Sequence, residues 1–289
     1  MVTCSAPGKI FLCGEHAVVY GEPAIACAID LRTRVRVREG KKSKITSPYV
    51  AGAVKKISEL VELEGVNIDI HSDIPIGSGL GSSAAVTIAT LFALNLEFDI
   101  GLSKEEVAQL GHEVEREVQG AASPTDTFVS TMGGVVFLPS CKRLKSLDCG
   151  IVIGNTGMVS STKELVRQVA RLKDRHPGII QPIFQTIGEL ARKGEYLVDK
   201  RDYKNIGELM NINQGLLESL GVGCPELAAQ IYAARKAGAL GAKITGAGGG
   251  GCMVALVDFD EKDEVASAIE SVGGRAIQTR VTEIGVRHE

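Results

Sequence analysis

Three segments near the start of the chain carry the apolar pattern of β-strands. Their apolar and β-branched residues either run together or alternate with polar ones, as in RTRVRVRE. Alternation with a period of two places every second side chain on the same face of a sheet. The sequence therefore predicts strands over residues 2–14, 24–39 and 66–72.

Helical patterns lie between and after these strands. The spacing of apolar residues predicts helices over residues 48–64, 83–97 and 103–119. Ser103 and Glu106 have the spacing of a capping box, in which each side chain bonds to the backbone N–H of the other residue. Residues 120–126, GAASPTD, predict an irregular turn, and residues 127–138 predict a passage from helix to strand.

A polar, basic stretch near residue 145 predicts a loop and a domain boundary. It reads SCKRLKSLD and divides the chain into predicted domains 1–147 and 148–289. Beyond it, strands are predicted over 151–154, 242–245, 252–257 and 276–281, and helices over 161–177, 180–199, 203–220, 225–238 and 261–272. This order of strand, helices, two strands, helix and strand resembles the ferredoxin-like pattern. We therefore expect a two-domain α/β (α+β) fold.

Bulk composition argues against several classes of partner. The 289 residues have a net charge of −3 and no basic stripe, so we expect neither nucleic acid nor a membrane surface as a partner. The longest apolar stretch, residues 84–96, is shorter than the roughly 20 residues of a membrane-spanning helix. The seven cysteines are scattered and form no C-x-x-C motif, which favours free thiols in a reducing cytoplasm.

The most informative segment is the run PIGSGLGSSAA, residues 75–85. Its three alternating glycines allow the backbone to approach a ligand closely. Ser82 and Ser83 then open a predicted helix, whose free N–H groups suit a phosphate. The run does not contain the G-x-x-x-x-G-K-[ST] motif. It also fails the G-x-G-x-x-G motif, because Ser82 stands where the third glycine would be. A turn without a ligand is the alternative interpretation.

A second glycine-rich run, KITGAGGGGC, covers residues 243–252. Five of the six residues from 246 to 251 are glycine, which is an entropic liability in an ordered pair of strands. We interpret the run as a loop that packs against residues 75–85 and closes a ligand site. The alternative is a flexible hairpin tip.

The N-terminal segment APGKIFLCGEH offers a lysine, a glutamate and a histidine. Lys9 follows a Pro-Gly turn, where its point charge could meet a phosphate or a carboxylate. His16 could donate a hydrogen bond to a substrate, and Glu15 could also contact the substrate, or could instead hold the strand end or orient His16. Taken alone, Lys9 is more often a surface residue and His16 a core or capping histidine.

Two carboxylates complete the candidate chemistry. Glu115 is the only charge in a row of small or apolar residues on its predicted helix, so it needs a partner such as a cation. Asp126 follows eleven residues later, within SPTD. A solvated helix glutamate and a turn-capping aspartate are the alternatives. No second histidine follows His112 at helical spacing, which argues against a transition-metal site.

Together these residues provide the parts that phosphoryl transfer requires. Glu115, a serine hydroxyl and phosphate oxygens form an oxygen-only ligand set, which suits Mg²⁺. Asp126 would take the proton of an attacking hydroxyl group. Lys9 would keep Asp126 ionised and offset charge on the moving phosphoryl group.

With these motifs in place, the sequence resembles the GHMP kinase superfamily. The three segments APGKIFLCGEH, PIGSGLGSSAA and KITGAGGGGC match its motifs in order, and the resemblance extends over essentially the whole chain. It implies an N-terminal domain like domain 2 of ribosomal protein S5, a ferredoxin-like C-terminal domain, ATP as co-substrate and Mg²⁺. Within the superfamily, Lys9 and GEHAVV are similar to the mevalonate kinase family, whereas galactokinases have arginine and GEHTDY.

The resemblance also implies roles for individual residues. Lys9 and Asp126 match the catalytic pair, and the Mg²⁺ ligands match Glu115 with Ser82 or Ser83. The substrate-binding positions match Glu15, His16, Lys9, Asp126 and Thr245. The nucleotide-binding positions match Pro75, Ile76, Gly77, Ser78, Gly79, Leu80, Gly81, Ser82, Ser83, Ala84, Ala85, Gly246, Gly248 and Gly249.

One segment departs from the family pattern. Eukaryotic members read HGNPSGVDN around the aspartate, whereas this chain reads QGAASPTDT, which leaves Ser123 open as a substrate contact. The implied activity is phosphorylation of the 5-hydroxyl group of mevalonate by Mg·ATP. The rivals are a phosphomevalonate, homoserine or sugar kinase and a non-catalytic metabolite sensor, and a homodimer is left open. The intact Lys9, Glu115 and Asp126 disfavour the sensor.

Overall fold

The structure is a computed structural model that describes residues 1–40, 45–120 and 123–289. Its elements, in chain order, are β1 (Val2–Cys13), β2 (Ala24–Glu39), α1 (Pro48–Ser58), β3 (Val66–Ser72), α2 (Ser82–Glu97), α3 (Lys104–Gln119), α4 (Thr125–Met132), β4 (Val135–Leu138), β5 (Lys142–Leu144), β6 (Gly150–Asn155), α5 (Thr162–Arg175), α6 (Pro177–Lys200), α7 (Tyr203–Ser219), α8 (Pro225–Lys236), β7 (Gly241–Thr245), β8 (Cys252–Val257), α9 (Lys262–Ser271), β9 (Arg275–Thr279) and β10 (Arg287–His288).

The first half is built on an antiparallel sheet around the long strand β2. With 16 residues, β2 pairs with β1 on one edge and with both β3 and β4 on the other. β5 lies beside β4, and β10 lies beside β1. Helix α2 packs against β1 and β2, while α1, α3 and α4 pack around α2. Because α2 is apolar on nearly all sides, it can be buried as the central helix of this layer.

The second half contains a four-stranded sheet in the order β7-β8-β6-β9, with every neighbouring pair antiparallel. With helices after β6 and between β8 and β9, this order confirms the ferredoxin-like prediction. Helix α6 also contacts β1 and β2. Ile10 and Leu91 of the first half belong to the same buried cluster as Ile153 and Leu256 of the second. The shared core fixes the loops that lie between the two sheets.

Most of the predicted elements are confirmed, with local exceptions. The Ser103 capping box is formed: the Ser103 N–H donates to the Glu106 carboxylate at 2.8 Å, and the Glu106 N–H donates to the Ser103 hydroxyl at 3.2 Å. The helix predicted over 48–64 is too long. It ends at Ser58 with Glu59 as its C-cap, and the backbone then tightens, since the Leu60 N–H donates to the carbonyl oxygen of Ile57, three residues back instead of four.

The basic stretch 140–148 is only partly the predicted loop. Its residues Lys142–Leu144 form β5, an edge strand whose charged side chains hide the usual apolar alternation. The turn predicted over 120–126 includes residues 121–122, which lie outside the described residues. The boundary between 147 and 148 stays a prediction, and β10 returns from the chain's end to the first sheet. In the described ranges, no helix has the length and apolar character needed to cross a membrane.

Candidate active site

The start of α2 forms one wall of the candidate site. The loop before it, residues 75–81, has left-handed backbone at its three glycines, with φ between 68° and 79°. The backbone N–H groups of Ser82, Ser83 and Ala84 therefore begin the helix without helical acceptors. The N–H of Ala85 already donates to the first helical carbonyl, 2.9 Å away. Ala85 is thus not a free phosphate donor, contrary to the prediction.

The two glycine-rich loops pack directly against each other, as predicted. A Cβ atom on Gly79 would lie 2.7 Å from the carbonyl oxygen of Thr245, and one on Gly246 would lie 2.8 Å from the Cα of Gly79. A Cβ on Gly251 would lie 2.9 Å from the carbonyl oxygen of Ser78. Backbone atoms cannot shift cheaply out of the way, so the contact requires glycine on both loops. A flexible hairpin tip is therefore excluded.

Lys9 and Asp126 come from different elements and form an ion pair. Lys9 lies in β1 and Asp126 in the first turn of α4, with 3.2 Å between Nζ and Oδ2. Ser130 ties α4 to β1, since its hydroxyl donates to the carbonyl oxygen of Pro7 at 2.9 Å. The Lys9 side chain is only 4% exposed, whereas that of Asp126 is 28% exposed. Lys9 is thus a buried cation, and the carboxylate beside it is accessible to a ligand.

Glu115 is buried on α3, and its Oε1 accepts a hydrogen bond from the Ser83 hydroxyl at 2.8 Å. Burial raises the pKa of Glu115 to about 7, and the negative charge of Asp126 adds to the rise. The Ser83 hydrogen bond and the charge of Lys9 oppose it. A buried carboxylate that resists ionisation gains most from a nearby cation. Within the described chain, the Ser82 hydroxyl has no such hydrogen bond, so Ser83 is the serine placed beside Glu115.

These groups fit a magnesium ion. One carboxylate and one hydroxyl, with further oxygens from a substrate's phosphates, form the sparse ligand set that Mg²⁺ accepts. Over the described ranges, no cluster of three or more His, Cys, Asp or Glu side chains could hold a metal through protein ligands alone. The transition-metal alternative at His112 therefore finds no support.

Two cavities meet at the ion pair of Lys9 and Asp126. The larger, of about 730 Å³, follows the glycine loop and the start of α2, and the smaller, of about 400 Å³, extends to His16. The residues that line both are Lys9, Gln119, Asp126, Thr162, Gly246 and Ala247. A phosphoryl donor in the larger cavity and an acceptor in the smaller would therefore face each other across this ion pair.

Part of the larger cavity is apolar, and sequence reasoning did not find this part. Pro48 and Tyr49 from α1 line it together with Ile70 and Val118. The Tyr49 hydroxyl accepts a hydrogen bond from the Gln119 amide at 3.1 Å. These residues belong to no motif, so the sequence offered no signal for them beyond their apolar character. Their place next to the glycine loop suits the flat, largely apolar face of a nucleotide base.

Glu15 lines the smaller cavity, but both of its carboxylate oxygens are held by protein donors. Its Oε1 pairs with the ammonium group of Lys243, and its Oε2 accepts a hydrogen bond from the Asn213 amide at 3.1 Å. The Glu15 side chain is 1% exposed and that of Lys243 is fully buried. The predicted substrate contact by Glu15 is therefore unsupported, and its alternative role beside His16 is favoured. Lys243 and Asn213 were missed, although Lys243 opens the second glycine-rich run.

His16 lines the smaller cavity, but as a different kind of hydrogen-bonding group than expected. Its Nε2 lies 2.9 Å from the carbonyl oxygen of Ala247, which can only accept, so Nε2 carries the proton. Burial lowers the pKa of His16 below its ordinary value. The neutral ring therefore leaves Nδ1 as an acceptor, whereas the sequence had suggested a donor.

Several predicted binding residues lie outside both cavity walls. Thr245 is buried, and its hydroxyl accepts a hydrogen bond from the Phe11 N–H at 3.3 Å. The Gly249 N–H donates to the carbonyl oxygen of Val222 at 2.8 Å, and a Cβ on Gly248 would clash with that same oxygen. These glycines pack a turn. Among the predicted nucleotide-binding residues, four more lie outside the cavity walls: Pro75, Leu80, Ala84 and Ala85. The remaining predicted residues line a cavity: Ile76, Gly77, Ser78, Gly79, Gly81, Ser82, Ser83 and Gly246.

Known proteins resemble the chain in both sequence and structure. Residues 48–134 match the model of the GHMP kinases N terminal domain, and residues 195–275 match that of the GHMP kinases C terminal domain. A mevalonate kinase of Pyrococcus abyssi is 43% identical, with 100% of this chain and 98% of the relative covered.

Solved structures give the same picture. The structure of Methanococcus jannaschii mevalonate kinase has a TM-score of 0.85 and 31% identity, covering 97% of this chain and 98% of that one. The structure of L. major mevalonate kinase in complex with R-mevalonate has a TM-score of 0.86 and 25% identity, covering 97% and 96% of the two chains.

Proposed function

We propose that this chain, which belongs to the GHMP kinases and within them to the mevalonate kinase family, transfers the γ-phosphoryl group of ATP to the 5-hydroxyl group of mevalonate. The product is 5-phosphomevalonate, an intermediate of isoprenoid biosynthesis. The observation that carries the proposal is the meeting of two cavities at Lys9 and Asp126. The substrate follows from the full-length similarity to mevalonate kinases.

Asp126 and Lys9 carry the transfer step. ATP lies in the larger cavity, with its phosphates at the free N–H groups of α2, and mevalonate lies in the smaller cavity. Asp126 accepts the proton of the 5-hydroxyl group as that oxygen bonds to the γ-phosphorus, and the bond from phosphorus to the β,γ-bridging oxygen breaks to release ADP. Lys9, 3.2 Å from Asp126, pairs with the carboxylate and offsets negative charge on the phosphoryl group.

Glu115 and Ser83 would hold the Mg²⁺ that accompanies ATP. When bound, the ion neutralises charge on the β- and γ-phosphates and orients them for transfer. Glu115 must lose its proton to act as a ligand, and its pKa of about 7 places that event near neutral pH. Ser83 holds the Glu115 carboxylate at 2.8 Å and so fixes the direction of the ligand oxygen.

The smaller cavity matches the mixed polarity of mevalonate. Phe11, Val18 and Val19 give it apolar surface for the methyl and methylene groups, while His16 and Ser123 are polar. The Nδ1 atom of neutral His16 is an acceptor, so it suits a substrate hydroxyl group rather than the carboxylate.

A substrate panel tests the proposal. Purified protein is mixed with Mg·ATP and mevalonate, phosphomevalonate, homoserine or galactose, and ADP release is measured. We expect turnover with mevalonate, and its loss in the Asp126→Asn variant used as the control for contaminating kinases. Turnover with another acceptor alone would contradict the mevalonate assignment. ATP binding without turnover on any acceptor would indicate the metabolite sensor instead.

The proposed location of the enzyme is the cytoplasm. All seven cysteines are free thiols, which supports action in the reducing cytoplasm. The homodimer stays a prediction.

A further inference from the structure

A closed polar cluster lies behind the substrate cavity. It consists of Glu15 from the turn after β1, Lys243 from β7 and Asn213 from α7. Glu15 accepts hydrogen bonds from both partners, and none of the three residues is more than 2% exposed. Lys243 also donates to the carbonyl oxygen of Ile244 at 2.5 Å. No group of this cluster is left for a substrate to bind by charge.

Stability alone does not explain such a cluster. Removing two charges from water opposes folding, and apolar residues of similar volume often stabilise a core as well as a buried ion pair or better. Apolar packing was available here, because Ile244, next to Lys243 in β7, and Cys13, two residues before Glu15, are fully or almost fully buried. A cluster of this kind is better understood by the geometry that it imposes.

The cluster connects the first sheet to the second beside the smaller cavity, where residues from both halves form the candidate site. Glu15 belongs to the first half and is followed directly by His16, whose ring donates to Ala247 in the second glycine-rich loop. Lys243 belongs to the second half and is followed, two residues later, by Thr245, which accepts a hydrogen bond from the Phe11 N–H. Two further hydrogen bonds between the halves thus flank the ion pair, His16 to Ala247 and Phe11 to Thr245. His16, Ala247 and Phe11 line the smaller cavity.

We propose that the pair formed by Glu15 and Lys243 is a positioning device that sets His16 and the second glycine-rich loop relative to β1, and so shapes the mevalonate end of the site. The inference rests on the proposed function, from which it takes the identity of the acceptor. Neither residue contacts substrate. The groups proposed to hold the nucleotide phosphates and the metal, at the start of α2 and on α3, lie in the first half and form no hydrogen bond with either residue of the pair, so the pair reaches them only through the contact between the two glycine-rich loops.

The test is the double variant Glu15→Met/Lys243→Met, which removes both charges together and leaves no unpaired ion in the core. We expect a melting temperature close to that of the wild type, a KM for mevalonate raised about tenfold, and a KM for ATP changed by less than about threefold. The matched control is Lys142→Gln/Glu195→Gln, which removes an exposed 2.8 Å ion pair between β5 and α6 and should change neither constant.

Two results would overturn the inference while the wild type still phosphorylates mevalonate. The first is a folded double variant with wild-type constants for both substrates. The second is an equal loss for ATP and mevalonate, which would indicate general loosening. If the double variant does not fold, the test moves to Asn213→Ala, which keeps the ion pair but removes the hydrogen bond to Glu15 Oε2. This variant should raise the KM for mevalonate and leave the KM for ATP unchanged. Unchanged constants for both substrates would again overturn the inference. A wild type inactive on mevalonate would refute the proposed function instead.

Discussion

In the described ranges, two lysine–carboxylate pairs have a buried lysine, and the pairs differ in what surrounds them. The Lys9–Asp126 pair leaves 28% of the carboxylate side chain exposed, at the junction of two cavities. The Lys243–Glu15 pair is closed, with side-chain exposures of 0% and 1%. We therefore propose that the same chemical pair serves transfer where its carboxylate is exposed to a ligand and positioning where both side chains are buried.

The partners of each carboxylate sharpen the contrast. Glu15 has both oxygens occupied by protein donors, Lys243 and Asn213. Asp126 has one protein cation beside Oδ2, which leaves the rest of the carboxylate to accept a substrate proton. A carboxylate with spare accepting capacity in a cavity is a candidate base, whereas a saturated one is a structural anchor.

The largest effect should come from breaking the open pair. Asp126→Asn removes the proton acceptor and keeps the side-chain shape, so we expect kcat to fall about 10²–10⁴-fold with ATP affinity nearly unchanged. Steady-state kinetics and ATP titration calorimetry measure the two quantities. The control is Asp69→Asn on exposed β3, which should behave like the wild type. A variant that keeps most of its turnover would remove Asp126 from the mechanism.

The next effect concerns the metal. Glu115→Gln removes the one protein charge proposed for Mg²⁺, so we expect the free Mg²⁺ concentration that gives half-maximal rate to rise about tenfold or more. Wild-type enzyme should need more Mg²⁺ below the Glu115 pKa of about 7, because protons compete with the ion there. The variant should lack that pH dependence. Superimposable titrations would make Glu115 a purely structural residue.

The same substitution has a consequence for stability without metal. The folded-state pKa of Glu115, about 7, lies above its ordinary value of 4.5, so ionisation opposes folding increasingly as pH rises between these values. We therefore expect Glu115→Gln to raise the melting temperature in the presence of a chelator, and to raise it more at pH 8 than at pH 5. Differential scanning calorimetry at both pH values measures the increase in melting temperature. An equal increase at pH 5 and pH 8 would contradict the raised pKa of Glu115.

A smaller effect is expected where the two loops meet. Gly79→Ala would place a Cβ 2.7 Å from the Thr245 carbonyl oxygen at a φ of 79°, so the loops must separate. We expect ATP affinity to fall about tenfold, together with a lower melting temperature. Gly101→Ala is the matched control, because its φ of 84° imposes similar backbone strain where no atom lies within 4 Å. If both variants bind ATP alike, the contact between the loops does not matter for binding.

The smallest kinetic effect should come from His16. Its φ of 61° is left-handed, so we choose His16→Asn, which tolerates that backbone, over His16→Ala. Loss of the ring should raise the KM for mevalonate about fivefold to tenfold without changing the KM for ATP. Parallel kinetics of both substrates test this, and an equal rise for ATP would place His16 outside the mevalonate site.

The open pair could be predicted from the sequence, because local motifs surround it. Lys9 sits in one motif, and Asp126 keeps its place after Glu115. The choice between Ser82 and Ser83 could not be predicted, because consecutive residues at a helix start point in different directions and only the placement of α3 decides between them.

The closed pair escaped prediction for a different reason. Glu15 and Lys243 are 228 positions apart, and Asn213 lies in a helix without a motif. A buried polar residue is recognised only by its partner, and the partner is set by the tertiary fold. The same holds for the apolar wall formed by Tyr49 and Ile70, since α1 and β3 meet the glycine loop only after folding.

The most direct test of the distinction between the two pairs is the single-turnover rate of phosphoryl transfer at saturating ATP and mevalonate. Lys9→Met is compared with Glu15→Met/Lys243→Met, each removing a buried ammonium group. We expect Lys9→Met to lose about 100-fold or more in this rate, and the double variant to stay within about tenfold of the wild type, since saturation compensates for weaker binding. Equal losses in the two variants, or a wild-type rate in Lys9→Met, would contradict the assignment of chemistry to the open pair.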